Sequence, residues 1–177
     1  MNEALKYTTE NNELTKELVV RKFFLEARAL NELGKPGDIK LGLSKIDSSL
    51  SLKATAYGYH TKGLLLNRDT STYKEALRFY DKALMLNPDW VYTLTNKGST
   101  FVDVKQYDSA RFYLNKAMAV NQSDGLVWYN MGNMFGELKK YDSALIYLRG
   151  AIKRKPKSLV SLNALGNIFH NLKLNDS

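Results

Sequence analysis

Cysteine is absent from this 177-residue chain, which excludes disulfides, thiol nucleophiles and Cys-ligated metal while leaving the compartment open. Proline is scarce, with three in all, and the only histidines are His60 and His170. There is no HExxH pair, no Gly-rich phosphate loop and no Cys or His cluster at metal-ligand spacing. No apolar run approaches the ~18 residues that span a bilayer, so membrane insertion is not expected. The N-terminal stretch is charged and helical in pattern, without the apolar core of a signal peptide.

What is present is an ordinary apolar content of 44% and eleven tyrosines, which place the chain among folded proteins. Net charge is +8, and its distribution matters more than its size. Between Lys139 and Lys157 seven Lys or Arg stand against the single Asp142.

One stretch organises the rest. In Gly125–Pro156 two helical stripes lie back to back, at three- and four-residue spacing. The first carries Trp128, Met131, Gly132 and Phe135; the second carries Ala144, Leu145, Leu148, Ala151 and Ile152. The polar Lys139–Ser143 between them suits a turn, with Asp142 or Ser143 as N-cap, and Pro156 stops the second helix. Small residues at Gly132, Ala144 and Ala151 suggest close helix approach.

The same marks recur every 34 residues: Gly98, Gly132 and Gly166; Phe101, Phe135 and Phe169; Ala76, Ala110 and Ala144; Ala83, Ala117 and Ala151. Tyr107-Asp108-Ser109-Ala110 returns letter for letter as Tyr141-Asp142-Ser143-Ala144. Such a period, with a helical hairpin in each unit, marks a helical solenoid.

These residues resemble the tetratricopeptide repeat family, whose pattern is met by Trp128, Met131-Gly132, Phe135, Ala144, Leu148, Ala151 and Pro156. The resemblance implies an all-α, right-handed α-solenoid of helix-turn-helix repeats, acting as a protein-interaction scaffold. Repeats are expected at 57–90, 91–124 and 125–158, with one residue inserted in the Asn67–Thr72 loop. Residues 20–56 read as a degenerate repeat, with Gly42, Ile46 and Ser49 on its second helix, roughly Ile39–Leu52. Three extra residues separate Ala27 from Gly42 there, and Lys35–Asp38 breaks the preceding helix, which starts near Glu13. Residues 1–19 read as an incoming helical segment or cap. Residues 159–177 read as the first helix of a further repeat, ending one residue before the expected Ala, so a fragment of a longer protein is expected.

Catalysis finds few candidates. His60 and His170 are too distant in a solenoid to act together, and Asp103 and Glu137, one carboxylate per repeat, make no acid–base pair. The reading is therefore non-enzymatic, with no cofactor and no metal. The resemblance instead implies a concave groove lined by the first helix of each hairpin. In this register the groove stripe holds Tyr57, His60 and Leu64; Tyr92, Thr95, Asn96, Ser99 and Asp103; Leu126, Tyr129, Asn130, Asn133 and Glu137; then Val160, Asn163, Asn167, His170 and Asn171. Asn96 and Asn130 occupy the place where peptide-binding members carry an Asn that grips peptide backbone, and both are expected to face solvent. A carboxamide offers that backbone a donor and an acceptor. Asn133 and Asn167 repeat a second position one turn on, and Tyr92 and Tyr129 would give apolar contact. Solvated polar residues in a wet groove remain the alternative. The carboxylate clamp of the chaperone-binding subset is not matched, because Thr95 or Tyr129 fills its usual Lys place.

Lys153, Arg154, Lys155 and Lys157 fall at the end of a second helix and its loop, away from the groove, where cations suit the helix dipole. The partner expected is a protein or peptide. Nucleic acid bound through the 139–157 cluster is disfavoured against a solvated face. A regulatory arm of a larger enzyme, and self-association through the C-terminal helix, stay open.

Overall fold

The computed structural model describes residues 2–175, with side chains described for 12–35 and 37–173. Among the described residues the regular structure is nine α-helices and one 3-10 turn. The chain divides after Pro88 into two compact units.

The first unit contains α1 (Asn2–Leu33), α2 (Pro36–Leu52), α3 (Ala56–Leu66) and α4 (Tyr73–Leu86), paired as α1 with α2 and α3 with α4. α1 begins well before Glu13, the start expected from the sequence. It ends at Gly34, whose φ of 71° lets its N–H return to the Leu30 carbonyl at 3.2 Å. Pro36 opens α2 rather than breaking the chain, since the first helical turn has no use for its missing N–H. Asp38 lies inside that first turn and is not the cap, which is Lys35. Ala27, Ile46 and Leu65 form the buried centre. A Cβ on Gly42 would lie 3.0 Å from Leu65 Cδ2 and 3.5 Å from the Ala27 carbonyl, so the irregular hairpin still closes on small residues. Ser49, standing where later hairpins have Ala, is buried and donates to the Val20 carbonyl at 3.1 Å.

The second unit contains α5 (Val91–Asp103), α6 (Tyr107–Val120), α7 (Gly125–Glu137), α8 (Tyr141–Arg154) and α9 (Leu159–Asn175). α5 pairs with α6 and α7 with α8; α6 also packs on α7, and α8 on α9. The 34-residue period is visible as repeated contacts. A Cβ on Gly98 would come 2.7 Å from Leu114 Cγ, and one on Gly132 2.7 Å from Leu148 Cγ. Phe101 stacks on Tyr113 at 5.6 Å, and Phe135 on Tyr147 at 5.3 Å. Ala110, Ala117, Ala144 and Ala151 are wholly buried. α9 sends Ile168 into the core beside Ala144 and Leu148, while Leu162 and Phe169 stay exposed and nothing lies within 4 Å of a Cβ on Gly166.

The turns differ from expectation. α8 is capped by Lys140, which makes no side-chain cap bond, and Asp142 sits in the first turn, where it meets the positive end of the dipole. The residue ahead of it, Lys139, adopts φ 56°, and Lys105 one period earlier adopts φ 59°. Each closes a Schellman turn. Gln106 N–H reaches the Phe101 carbonyl at 2.8 Å and Lys105 N–H the Val102 carbonyl at 2.9 Å, with Lys140 to Phe135 and Lys139 to Gly136 in the same arrangement.

Candidate functional site

The hairpins of the second unit set α5, α7 and α9 as successive first helices. Between α7 and α9 lies a cleft of about 360 Å³ with Gly132, Leu148 and Ile168 among its lining residues. Its polar walls are Asn133, Glu137, Asn163, Asn167 and Asn171. A smaller cleft of about 200 Å³ is lined by Tyr92, Leu126, Lys155, Ser158 and Ser161. Tyr129 and Val160 line both, so the two form one continuous groove. Tyr92 is 57% exposed and Val160 55%, open to a ligand on the apolar side. Ser158 and Ser161 are buried and share a 2.9 Å hydroxyl hydrogen bond.

Residues 91–124 and 126–158 match the tetratricopeptide repeat family. Two successive repeats of that family, spanning α5 to α8, are present in the chain. No curated protein matches its sequence. Among solved structures the fold is similar to that of PilF from Pseudomonas aeruginosa, with a TM-score of 0.75 and 15% identity over 90% of this chain and 71% of that one. It is similar as well to a tetratricopeptide repeat protein from Parabacteroides merdae, with a TM-score of 0.72 and 17% identity over 98% of this chain and 65% of the other. A third likeness is to the first repeat domain of Spaghetti (RPAP3) bound to the HSP90 peptide SRMEEVD, with a TM-score of 0.60 and 24% identity over 67% of this chain and 94% of that one. At these identities the likeness is one of fold, an all-α solenoid of repeat hairpins.

Within the repeats the structure sorts the expected groove residues. Asn133, Asn163 and Asn167 line the larger cleft and Tyr92 the smaller. Asn96 and Ser99 are half-buried on α5 and line neither. Asn130, expected to face solvent, is 6% exposed, and its amide donates to the Leu126 carbonyl one turn back at 2.9 Å. Thr95 is wholly buried and donates to the Val91 carbonyl at 2.7 Å. His60, in the first unit, is buried against Tyr80, and desolvation lowers its pKa to about 4. The stripe read from sequence is thus one helix face too wide. Its inner edge belongs to helix contacts.

The basic cluster also divides. Lys153 and Arg154 lie in the last turn of α8, as their dipole preference suggests. Arg154 is occupied: its Nε donates to the Gln122 carbonyl at 2.7 Å, its Nη1 to Gly150 at 3.0 Å, and its guanidinium lies 3.7 Å over the Trp128 ring. The Trp128 indole donates to the same Gln122 carbonyl at 2.9 Å. Gly150 is required beneath that ring, because a Cβ there would come within 2.3 Å of Trp128. Lys155, placed away from the groove by the sequence reading, lines the smaller cleft. Lys153 and Lys157 are exposed.

Two acidic residues whose charge the sequence left without a role are Asp103, which lines neither cleft, and Glu137, on the wall of the larger one. Desolvation first, and the Glu137 charge second, hold the Asp103 carboxyl above its ordinary pKa. Their 34-residue spacing was the available signal.

Proposed function

We propose that this protein is an interaction scaffold that holds an extended segment of a partner protein along the α5–α7–α9 face of its second unit. The observation that carries the reading is the continuous groove, in which Asn133, Asn163 and Asn167 present carboxamides beside the apolar surfaces of Tyr92, Leu126, Tyr129 and Val160. Carboxamides can pair with the alternating donors and acceptors of an extended backbone, and the aromatic and aliphatic surfaces take side chains. The RPAP3 repeat domain, which shares the fold, was solved with a bound peptide, and that supports the same use here. No catalytic group is needed for this role. Nucleic acid is the weaker reading, since Arg154 is engaged by Gln122, Gly150 and Trp128 and the remaining cations are scattered over α8 and its loops.

The test begins with peptides selected on the whole protein from a random displayed library. Replacing Asn133 and Asn167 together by Ala should weaken the selected peptides by about 1–3 kcal/mol, one or two hydrogen bonds' worth, and leave the thermal melt in place. Binding unchanged in the double variant would remove the carboxamides from the site. A lowered melt would make them structural.

A further inference from the structure

We propose that the first unit carries a docking surface of its own, an apolar seam along α1 that takes an acidic amphipathic helix of a partner protein. α1 has two apolar stripes. One is spent inside the unit: Val20 and Ala27 are buried, and Phe24 packs against the core of Ala27, Ile46 and Leu65. The other contains Leu14, Leu18, Arg21, Leu25 and Arg28, in alternating steps of four and three residues. All of these line one groove of about 610 Å³, together with Phe24 and Tyr57, whose rings meet edge-on at 6.0 Å. Leu14 and Leu18 are each 58% exposed and Leu25 49%. A leucine exposed singly needs no explanation, but three in one groove do.

The spacing of the seam selects the shape of its occupant. Alternating steps of four and three are the 3.5-residue repeat through which two helices interlock side chains. From Leu14 to Arg28 they give layers about 5 Å apart over about 21 Å, which matches the pitch of a second helix and not the roughly 7 Å two-residue repeat of a strand. Charge selects its chemistry. The charged lining residues are Arg21, Arg28 and Lys53 against Glu17 alone. Glu17 answers Lys53 at 3.7 Å and Glu32 answers Arg28 at 3.7 Å, while Arg21 forms no ion pair among the described residues. Both pairs are exposed and therefore weak, so a partner carboxylate can compete for either cation. A second copy of this chain fits poorly. Parallel seams would set Arg21 on Arg21 and Arg28 on Arg28, and antiparallel seams overlapping in full would set Arg21 on Arg21. A helix with apolar residues against the three leucines and carboxylates against the two arginines meets both demands.

The experiment titrates the whole protein with two labelled synthetic helices of the seam's length, both with leucine at heptad spacing, one flanked by glutamate and the other by lysine. The glutamate helix should bind, and the lysine helix should bind at least about tenfold more weakly, because like charges repel across an interface. Leu18→Ser with Leu25→Ser should remove binding, and Arg21→Glu should erase or reverse the preference for glutamate, both with the thermal melt in place. If the leucine variant lowers the melt, Arg21→Glu decides alone, and an unchanged preference overturns the proposal. Asn133→Ala with Asn167→Ala should change nothing, which separates this seam from the groove of the second unit. The proposal falls if neither helix binds, if both bind alike, or if binding needs the two asparagines and not the two leucines. It falls as well if the protein sediments as a dimer that Leu18→Ser with Leu25→Ser converts to a monomer, since a second copy then covers the seam.

Discussion

Gly132 and Gly166 hold the same place in the 34-residue period, but their missing side chains face different surroundings. A Cβ on Gly132 would lie 2.7 Å from Leu148 Cγ and 3.2 Å from the Leu148 amide nitrogen, whereas one on Gly166 meets nothing within 4 Å. Gly132→Ala should force α7 and α8 apart and cost about 1–3 kcal/mol. Gly166→Ala should stabilise by up to about 1 kcal/mol, because alanine gives up less freedom than glycine inside a helix. Urea midpoints of the two variants decide it, and a loss of equal size in both would mean that helix contact is not what the period encodes. The same residue-scale logic separates Asn130 from Asn133. One has spent its amide on its own helix, and the other opens on the cleft.

At the scale of elements, the turns leaving α5 and α7 are built on lysines in left-handed backbone, Lys105 at φ 59° and Lys139 at φ 56°. α1 ends on a glycine in the same region, at Gly34. An L-residue there is strained by about 1–2 kcal/mol, part of which glycine returns as unfolded-chain entropy. Lys105→Gly and Lys139→Gly should therefore each stabilise by about 0.5–1 kcal/mol. The check is a denaturant titration beside Lys155→Gly, whose site has φ −137° and which should gain nothing. A gain in the control as large as in the other two would show that side-chain removal, not backbone, is responsible.

At the scale of the whole molecule, the chain is basic, with a net charge of +8, and its acid response should be led by His60. Burial lowers that pKa from 6.5 to about 4, so the folded form binds the proton less readily than the unfolded one. The stability contributed by neutral His60 is complete above about pH 6.5, declines as pH falls, and is lost by about pH 4. The loss should be on the order of 3 kcal/mol. Asp103, whose pKa is raised, acts in the opposite direction over part of that window. Unfolding midpoints between pH 7 and 4.5 should fall steeply for the wild type and more gently for His60→Gln. Parallel slopes would assign the acid response to other groups.

The 34-residue period, the helical hairpins and the small residues at their crossings were legible in the sequence. Each is a local pattern repeated several times, and a contact such as Gly132 on Leu148 depends only on residues within one hairpin. The cap at Lys140 and the turns at Lys105 and Lys139 were not legible, because lysine carries no signal for left-handed backbone. The site was legible only in outline. A stripe on a first helix borders both its own partner and the next hairpin, and spacing alone does not say where contact ends and the groove begins. Tertiary packing drew that line. It buried Asn130, Thr95 and His60, opened Asn133, Asn163 and Asn167, tied Arg154 to Gln122 and Trp128, and brought Lys155 to the groove. A helical residue's exposure is decided by whichever element packs over it, and that element arrives from elsewhere in the chain.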